Sequence, residues 1–353
     1  MSYPNLFDIS WKVDEPTYRK DPALSYSTLA RFAREGFNKL DNLFDEIDTP
    51  SLTFGSAVDA LITGGQEEFD KNFIVAEFPD ISDNLQTIAR TLFARYNTQY
   101  RNVSDIPTDI LADVGKECNY YADKKYRATR IKKIKEECQE YYNIMYSAGN
   151  KKIISTETYS QVTAAVRALK ENEATKQYFA PDDPFDDSLQ KFYQLKFKMP
   201  YEGFELRCMC DEIIVDHKTK TIYPIDLKTS SHTEWDFFRS FVQWRYDIQA
   251  RLYWRIIKYN LDQHPELFNG YKLEDYTFIV VNKTTLLPLT WVFKDTTRTG
   301  LLTYGRLNQV RFEDPFMIAA QLHRYLTYKT RIPDGIYTNV RNDIVNWINT
   351  EMQ

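Results

Sequence analysis

Two extended runs, Phe204-Glu-Leu-Arg-Cys-Met-Cys-Asp-Glu-Ile-Ile-Val215 and Thr221-Ile-Tyr-Pro-Ile-Asp-Leu-Lys-Thr-Ser230, are separated only by Asp-His-Lys-Thr-Lys, a polar stretch that reads as a turn. So short a connection makes them neighbouring antiparallel strands. Side chains alternate along a strand, so Asp226 and Lys228 point to one face, a carboxylate beside an ammonium. Pairing across the turn brings Asp211 towards Asp226. Two carboxylates that close repel each other unless a cation lies between them. Magnesium, usually held by one or two protein carboxylates plus waters and phosphate oxygens, is the natural candidate. Asp-x-Lys alone says little, because an exposed strand pair sharing a weak surface salt bridge has the same sequence.

After the second strand, Thr229-Ser-Ser-His-Thr-Glu-Trp-Asp236 is suited to capping a helix, and Phe237 to Tyr259 reads as one long amphipathic helix. Within it Gln249 and Tyr253 stand four apart and share a face. Asp-x-Lys followed by Gln-x-x-x-Tyr resembles the PD-(D/E)xK nuclease superfamily. The nearer likeness is to its branch of RecB-type nuclease domains and the phage and prophage exodeoxyribonuclease VIII group. Upstream, Leu24-Ser-Tyr-Ser-Thr-Leu-Ala-Arg-Phe-Ala-Arg34 is similar to the family's opening Ser-x-Ser-x-Leu helix. Thr53-Phe-Gly-Ser-Ala-Val-Asp-Ala-Leu-Ile62 is similar to its Phe-Gly-x-x-x-His-x-x-Leu helix, with Asp59 where the family has a metal-binding His. A second departure is the absence of a Glu from the first strand, Leu189 to Phe197.

The resemblance implies an α/β, restriction-endonuclease-like core: a central mixed sheet flanked by helices, built as helix, three strands, helix, strand. It implies that Asp59, Asp211 and Asp226, with the carbonyl of Leu227, bind Mg or Mn. Lys228 would position or activate the attacking water, and Gln249 and Tyr253 would fix the scissile strand or the lysine. A carboxylate can replace an imidazole at Asp59, since both donate to a divalent cation. The implied activity is a metal-dependent DNA exonuclease that degrades linear double-stranded ends to expose single strands for recombination or repair. A single-strand annealing protein is the implied partner, and ring-shaped homo-oligomers occur in the family. The two departures motivate a different reading, a catalytically weakened protein that keeps the fold for DNA binding or as a scaffold. Relatives holding an iron–sulfur cluster use an early Cys and a late Cys-x-x-Cys; Cys118, Cys138, Cys208 and Cys210 offer neither, so no cluster is expected and buried free thiols are.

At 353 residues, 43% of them hydrophobic, the chain can bury a large core. One nuclease domain spanning 1–353 is expected, its catalytic core at about 150–310 plus helices in 24–64. Residues 66–150, rich in Lys, Glu, Asn and Tyr, read as a helical insertion. Residues 1–45 read as an extended leader and a first helix, with a turn at Asp48-Thr-Pro and a helix at 53–64 stopped by Gly64-Gly65. Ser155 to Leu169 reads as a capped helix, Tyr276 to Val281 and Thr290 to Phe293 as strands, and 296–329 as helices.

A net charge of −5 excludes nucleic-acid binding by bulk positive charge. A local basic groove on an acidic molecule is not excluded. Lys124 to Lys135, containing Lys132, Lys133 and Lys135, carries seven basic residues and no acid. It reads equally as a DNA-backbone contact and as a solvated helix face. Arg239, Arg245, Arg251 and Arg255, on or near the Gln-x-x-x-Tyr helix, are better placed to meet phosphates close to the metal, or else are simply solvated. No apolar run is long enough to cross a bilayer and the first residues lack a signal segment, so a cytoplasmic protein is expected, in the host cytoplasm if phage-encoded.

Overall fold

The computed structural model describes residues 3–45, 49–181, 183, 185–233, 235–294, 301–304 and 308–328. The backbone gathers into two units, one of Met1–Gly55 with Ala164–Gln353 and one of Ser56–Thr163. In the first, α1 (Glu15–Lys20) starts where Asp14 accepts the Thr17 N–H at 2.8 Å, and α2 (Tyr26–Glu35) stops at Gly36, whose φ of 65° lies in the left-handed region open to glycine. The next helix, α3 (Pro50–Thr63), begins three residues earlier than the sequence suggests and runs from the first unit into the second. The expected turn at Asp48-Thr-Pro falls partly outside the described residues.

The second unit contains α4 (Gly65–Asn72), β1 (Phe73–Val75), α5 (Asp83–Tyr96), α6 (Thr108–Glu117), α7 (Arg127–Glu137), α8 (Gln139–Ala148) and β2 (Lys152–Ile154). β1 and β2 pair in parallel. Leu85, Ile88, Leu92, Leu111, Ile134, Cys138, Tyr141 and Tyr142 form a core of its own. α9 (Thr156–Glu171) leads back to the first unit, with the Ser155 hydroxyl accepting the Thr158 N–H at 3.0 Å as an N-cap should.

In the first unit α10 (Lys176–Phe179) precedes β3 (Leu189–Tyr201), β4 (Phe204–Asp216) and β5 (Thr221–Ser230). The β4–β5 turn forms for a local reason: the Asp216 carboxylate accepts the N–H groups of Lys218 and Thr219, at 2.9 and 3.1 Å, and Lys220 takes a left-handed φ of 52°. Then follow α11 (Phe237–Gln243), α12 (Tyr246–Asp262), α13 (Pro265–Phe268), β6 (Lys272–Leu273), β7 (Tyr276–Asn282), β8 (Pro288–Phe293), the antiparallel pair β9 (Leu301–Tyr304) and β10 (Asn308–Arg311), and α14 (Pro315–Tyr328).

The central sheet is mixed, in the order β3-β4-β5-β7-β8 with β6 on β5. Only β5 is parallel to its neighbours β6 and β7, and α11 to α13 supply the long crossover that a parallel pair demands. Ile248, Leu252, Ile256 and Ile257 recur at helical spacing along α12 and are fully buried among Phe197, Cys208, Ile213 and Phe278 of the sheet. The first unit is thus an α/β fold with a central mixed sheet flanked by helices.

Two expectations need correction. The single helix over Phe237 to Tyr259 is two, broken at Arg245, whose φ of 57° is left-handed. Both halves bury apolar faces, Phe241 of the first and Tyr246 of the second each meeting the Phe278 ring, so the hydrophobic spacing runs on across a backbone break. Residues 296–329 are not helical throughout: β9 and β10 occupy the front, where Thr303, Tyr304 and Val310 favour strands, and the helix starts at Pro315, where Asp314 accepts the Phe316 N–H. Residues 296–300, 305–307 and 329 lie outside the described residues. Among the described residues no helix is long and apolar enough to cross a membrane.

Candidate active site

The centre of the first unit is a place where strand regularity fails. In β4, Leu206, Cys208 and Cys210 belong to the core, and so do Ile213 and Val215, so the alternation slips between 210 and 213. β3 slips opposite it: Phe192 packs on the core before the break, and Leu195, Phe197 and Met199 lie in it after. The β3–β4 ladder pairs Tyr193 with Glu212 and Leu195 with Cys210, skipping Gln194 and Asp211. Gln194 holds a φ of 54°, which costs a non-glycine residue about 1–2 kcal/mol. Asp211 is thereby released from regular pairing.

The β4–β5 ladder ends at Glu212 with Ile225, one residue short of Asp211 on β4 and of Asp226 on β5. There the Asp211 carboxylate, through Oδ2, accepts the Leu227 N–H at 2.9 Å. Asp226 is 1% exposed and sits level with Phe278 of β7. An ionised group this deep must be compensated. Lys228 Nζ pairs with its Oδ2, and Gln249 Nε2 donates to its Oδ1 from the first turn of α12.

Lys228 is almost enclosed. Its ammonium lies 5.0 Å from the centroid of the Tyr246 ring and 6.0 Å from that of Phe278. Burial pulls its pKa down, but the Asp226 carboxylate, the Tyr246 hydroxyl and Asp211 outweigh this and hold it well above the usual lysine value. Lys228 is therefore a fixed cation at neutral pH. Two carboxylates and one ammonium carry a formal charge of −1 together, and their surroundings are largely dry.

The break between α11 and α12 aims Gln249. Arg245 is 4% exposed, and its guanidinium binds both oxygens of Asp247, at 2.9 and 3.2 Å, with Glu313 at 3.6 Å. That anchor fixes the first turn of α12, whose Gln249 then reaches the carboxylate. Tyr246, three residues before Gln249 and seven before Tyr253, shares their helix face; that spacing was the available sign that it belongs to the site.

The other candidates are placed as follows. Tyr253 is 7% exposed, and its ring meets those of Tyr26 and Tyr276 edge-on. Burial, more than its neighbours Tyr18, Cys208 and Asp226, pushes its phenol well above 10. Arg251 is 5% exposed and donates to the Glu313 carbonyl at 3.0 Å. Neither Arg245 nor Arg251 therefore offers a phosphate an exposed guanidinium. Arg239 lies 3.6 Å from Asp236, and Arg255 is exposed over the Phe316 ring.

In the second unit, Lys132 and Lys133 reach Glu136 and Glu137 at 3.9 and 3.6 Å, and Lys135 donates to the Ser104 carbonyl at 3.1 Å. Asp59 lies on the part of α3 that belongs to that unit, with its carbonyl accepting the Thr63 hydroxyl. Cys138, Cys208 and Cys210 are fully buried; Cys118 is only partly so, contrary to expectation, because it packs against the second unit's core from just past the C-terminus of α6.

The donors in the first unit suit a hard divalent cation, since Asp211 and Asp226 flank the point where the ladder opens and both are oxygen ligands. Among the described residues no three His, Cys, Asp or Glu side chains gather as a cation-binding cluster. No family model matches the chain, and no curated protein does. Among solved structures, it is similar to the crystal structure of a "putative exonuclease" from Eubacterium rectale. The match has 14% identity and a TM-score of 0.39, and covers 95% of this chain and 88% of that one. The site's own geometry therefore carries the functional reading.

Proposed function

We propose that the protein is a metal-dependent nuclease that hydrolyses DNA phosphodiester bonds, acting on the ends of linear duplexes. The observation that carries this is Asp226, nearly inaccessible, bound on one oxygen by Lys228 and on the other by Gln249, with Asp211 accepting the Leu227 N–H beside it. Asp211, Asp226 and the Leu227 carbonyl would hold the cation. Such an ion, magnesium or manganese, would acidify a bound water and offset phosphate charge.

The remaining work falls to the chain. Lys228, its ammonium against Asp226, would orient the attacking water or a phosphate oxygen by donating to it. Gln249 sets the Asp226 carboxylate plane, and the aromatic wall of Tyr246 and Phe278 limits how far the ammonium can swing. The experiment uses labelled linear and closed circular duplex DNA with magnesium, manganese or chelator. Metal-dependent loss of the linear form alone supports an exonuclease, and loss of neither form counts against the proposal.

One observation favours a different reading, a protein that keeps this fold for DNA binding or as a scaffold: both Asp226 oxygens are already engaged by protein groups. DNA binding without hydrolysis in any metal would select it.

A further inference from the structure

Helix α11 buries Phe237, Phe238, Ser240, Phe241 and Val242, yet a tryptophan lies outside at each end, Trp235 at 83% and Trp244 at 44% exposure. Large aromatics left in water are uninformative when scattered, but Trp244 is built into its place. Its carbonyl accepts the Tyr26 hydroxyl at 2.8 Å, and the next residue is the left-handed Arg245, clamped by Asp247 and Glu313. The Arg34 guanidinium lies 5.2 Å from the indole centroid. The same corner borders the site: the Tyr26 ring is 6.3 Å from that of Tyr246, whose ring holds Lys228 at 5.0 Å.

An exposed indole backed by a guanidinium, with a half-buried ammonium two rings further in, is what a single nucleic-acid strand uses: a base stacks on the ring while cations meet the backbone. Asp226 is paired with Lys228 and Asp236 with Arg239, and Glu35 adjoins Arg34, so each of these acids stands beside a cation and the exposed corner suits a polyanion rather than an apolar protein surface.

We infer that Trp244 is the stacking platform for a base of the single strand presented at Lys228, a reading that rests on the nuclease proposal for where that strand must go. The test is fluorescence anisotropy with a labelled twelve-residue oligo-dT and an abasic strand of equal length, using the full-length native chain, Trp244→Ala and Trp244→Phe, all in chelator. Trp244→Ala is expected to weaken oligo-dT binding by about 5- to 150-fold, the factor for losing one base–aromatic stack, and to leave the abasic strand unaffected. Trp244→Phe should restore most of the affinity. An equal loss on both strands, no loss on oligo-dT, or no binding by the native chain would each overturn the inference. Hydrolysis of linear duplex is scored in parallel. A native chain that binds through Trp244 but cuts nothing defeats the nuclease proposal alone, and one that cuts with no Trp244 effect defeats the stacking alone.

Discussion

Gln249 Nε2 donates to Oδ1 of Asp226, joining the first turn of α12 to the middle of β5 across 23 positions of sequence. Through that bond the helix start, which Arg245 fixes, determines how the buried carboxylate faces Asp211. Gln249→Leu keeps the bulk but leaves a carboxylate oxygen without its donor. It is expected to lower stability by about 1–3 kcal/mol in urea unfolding and to cut any hydrolysis at least tenfold. Unchanged unfolding would show that the bond does not hold the carboxylate.

Lys228→Met retains most of the stem and deletes the charge, stranding Asp226 in a dry site. Removing one partner of such a pair costs about 3–5 kcal/mol, whereas Lys228→Met combined with Asp226→Leu should cost less than the sum of the single changes. The pH dependence follows from the raised lysine value. The ammonium's contribution is fully present at neutral pH and is lost only as pH climbs past the ordinary lysine range towards its higher folded value. The stability gap between wild type and Lys228→Met should stay constant from about pH 6 to 9 and narrow only above about pH 10. Narrowing below pH 9 would contradict the fixed-cation role.

The basic run in the second unit is expected to contribute little to DNA affinity. Lys132 is exposed and Lys133 half-buried, and they already share charge with Glu136 and Glu137 along α7. Replacing Lys132, Lys133 and Lys135 with Glu should leave the salt dependence of duplex binding unchanged. A slope reduced by about one per lost contact would assign them to the backbone interface.

Thiol accessibility gives a check on the packing. Burial pushes the Cys138 thiol up to about 12 and the Cys210 thiol well above 9, while Cys118 is only partly covered. Titration with an aromatic disulfide should modify Cys118 first in the native protein, and Cys138, Cys208 and Cys210 only on unfolding. Early reaction at Cys208 or Cys210 would mean that β4 does not face the core.

The β4–β5 hairpin was legible because two strand-forming runs with a five-residue polar turn admit only one arrangement, and Asp226 and Lys228 follow from alternation. Asp211 was reached by the same pairing, but the slip at Gln194 that frees it was not, since nothing in a glutamine announces a left-handed backbone. The α11–α12 break was hidden because hydrophobic spacing records which side is buried and not whether the chain is continuous. Arg245 and Arg251 were misplaced towards solvent because one of their partners, Glu313, lies more than sixty residues away. Tyr246 could have been found from its spacing to Gln249 and Tyr253.

The most direct test compares wild type with Asp226→Asn on labelled linear duplex DNA in magnesium and in chelator. Asparagine preserves the shape and can still accept from Gln249, so the comparison isolates the carboxylate charge. The account predicts magnesium-dependent shortening of the duplex by wild type and loss of that shortening in the variant, with an unaltered circular dichroism spectrum. Equal hydrolysis by the two proteins, or hydrolysis by wild type that persists in chelator, would contradict it.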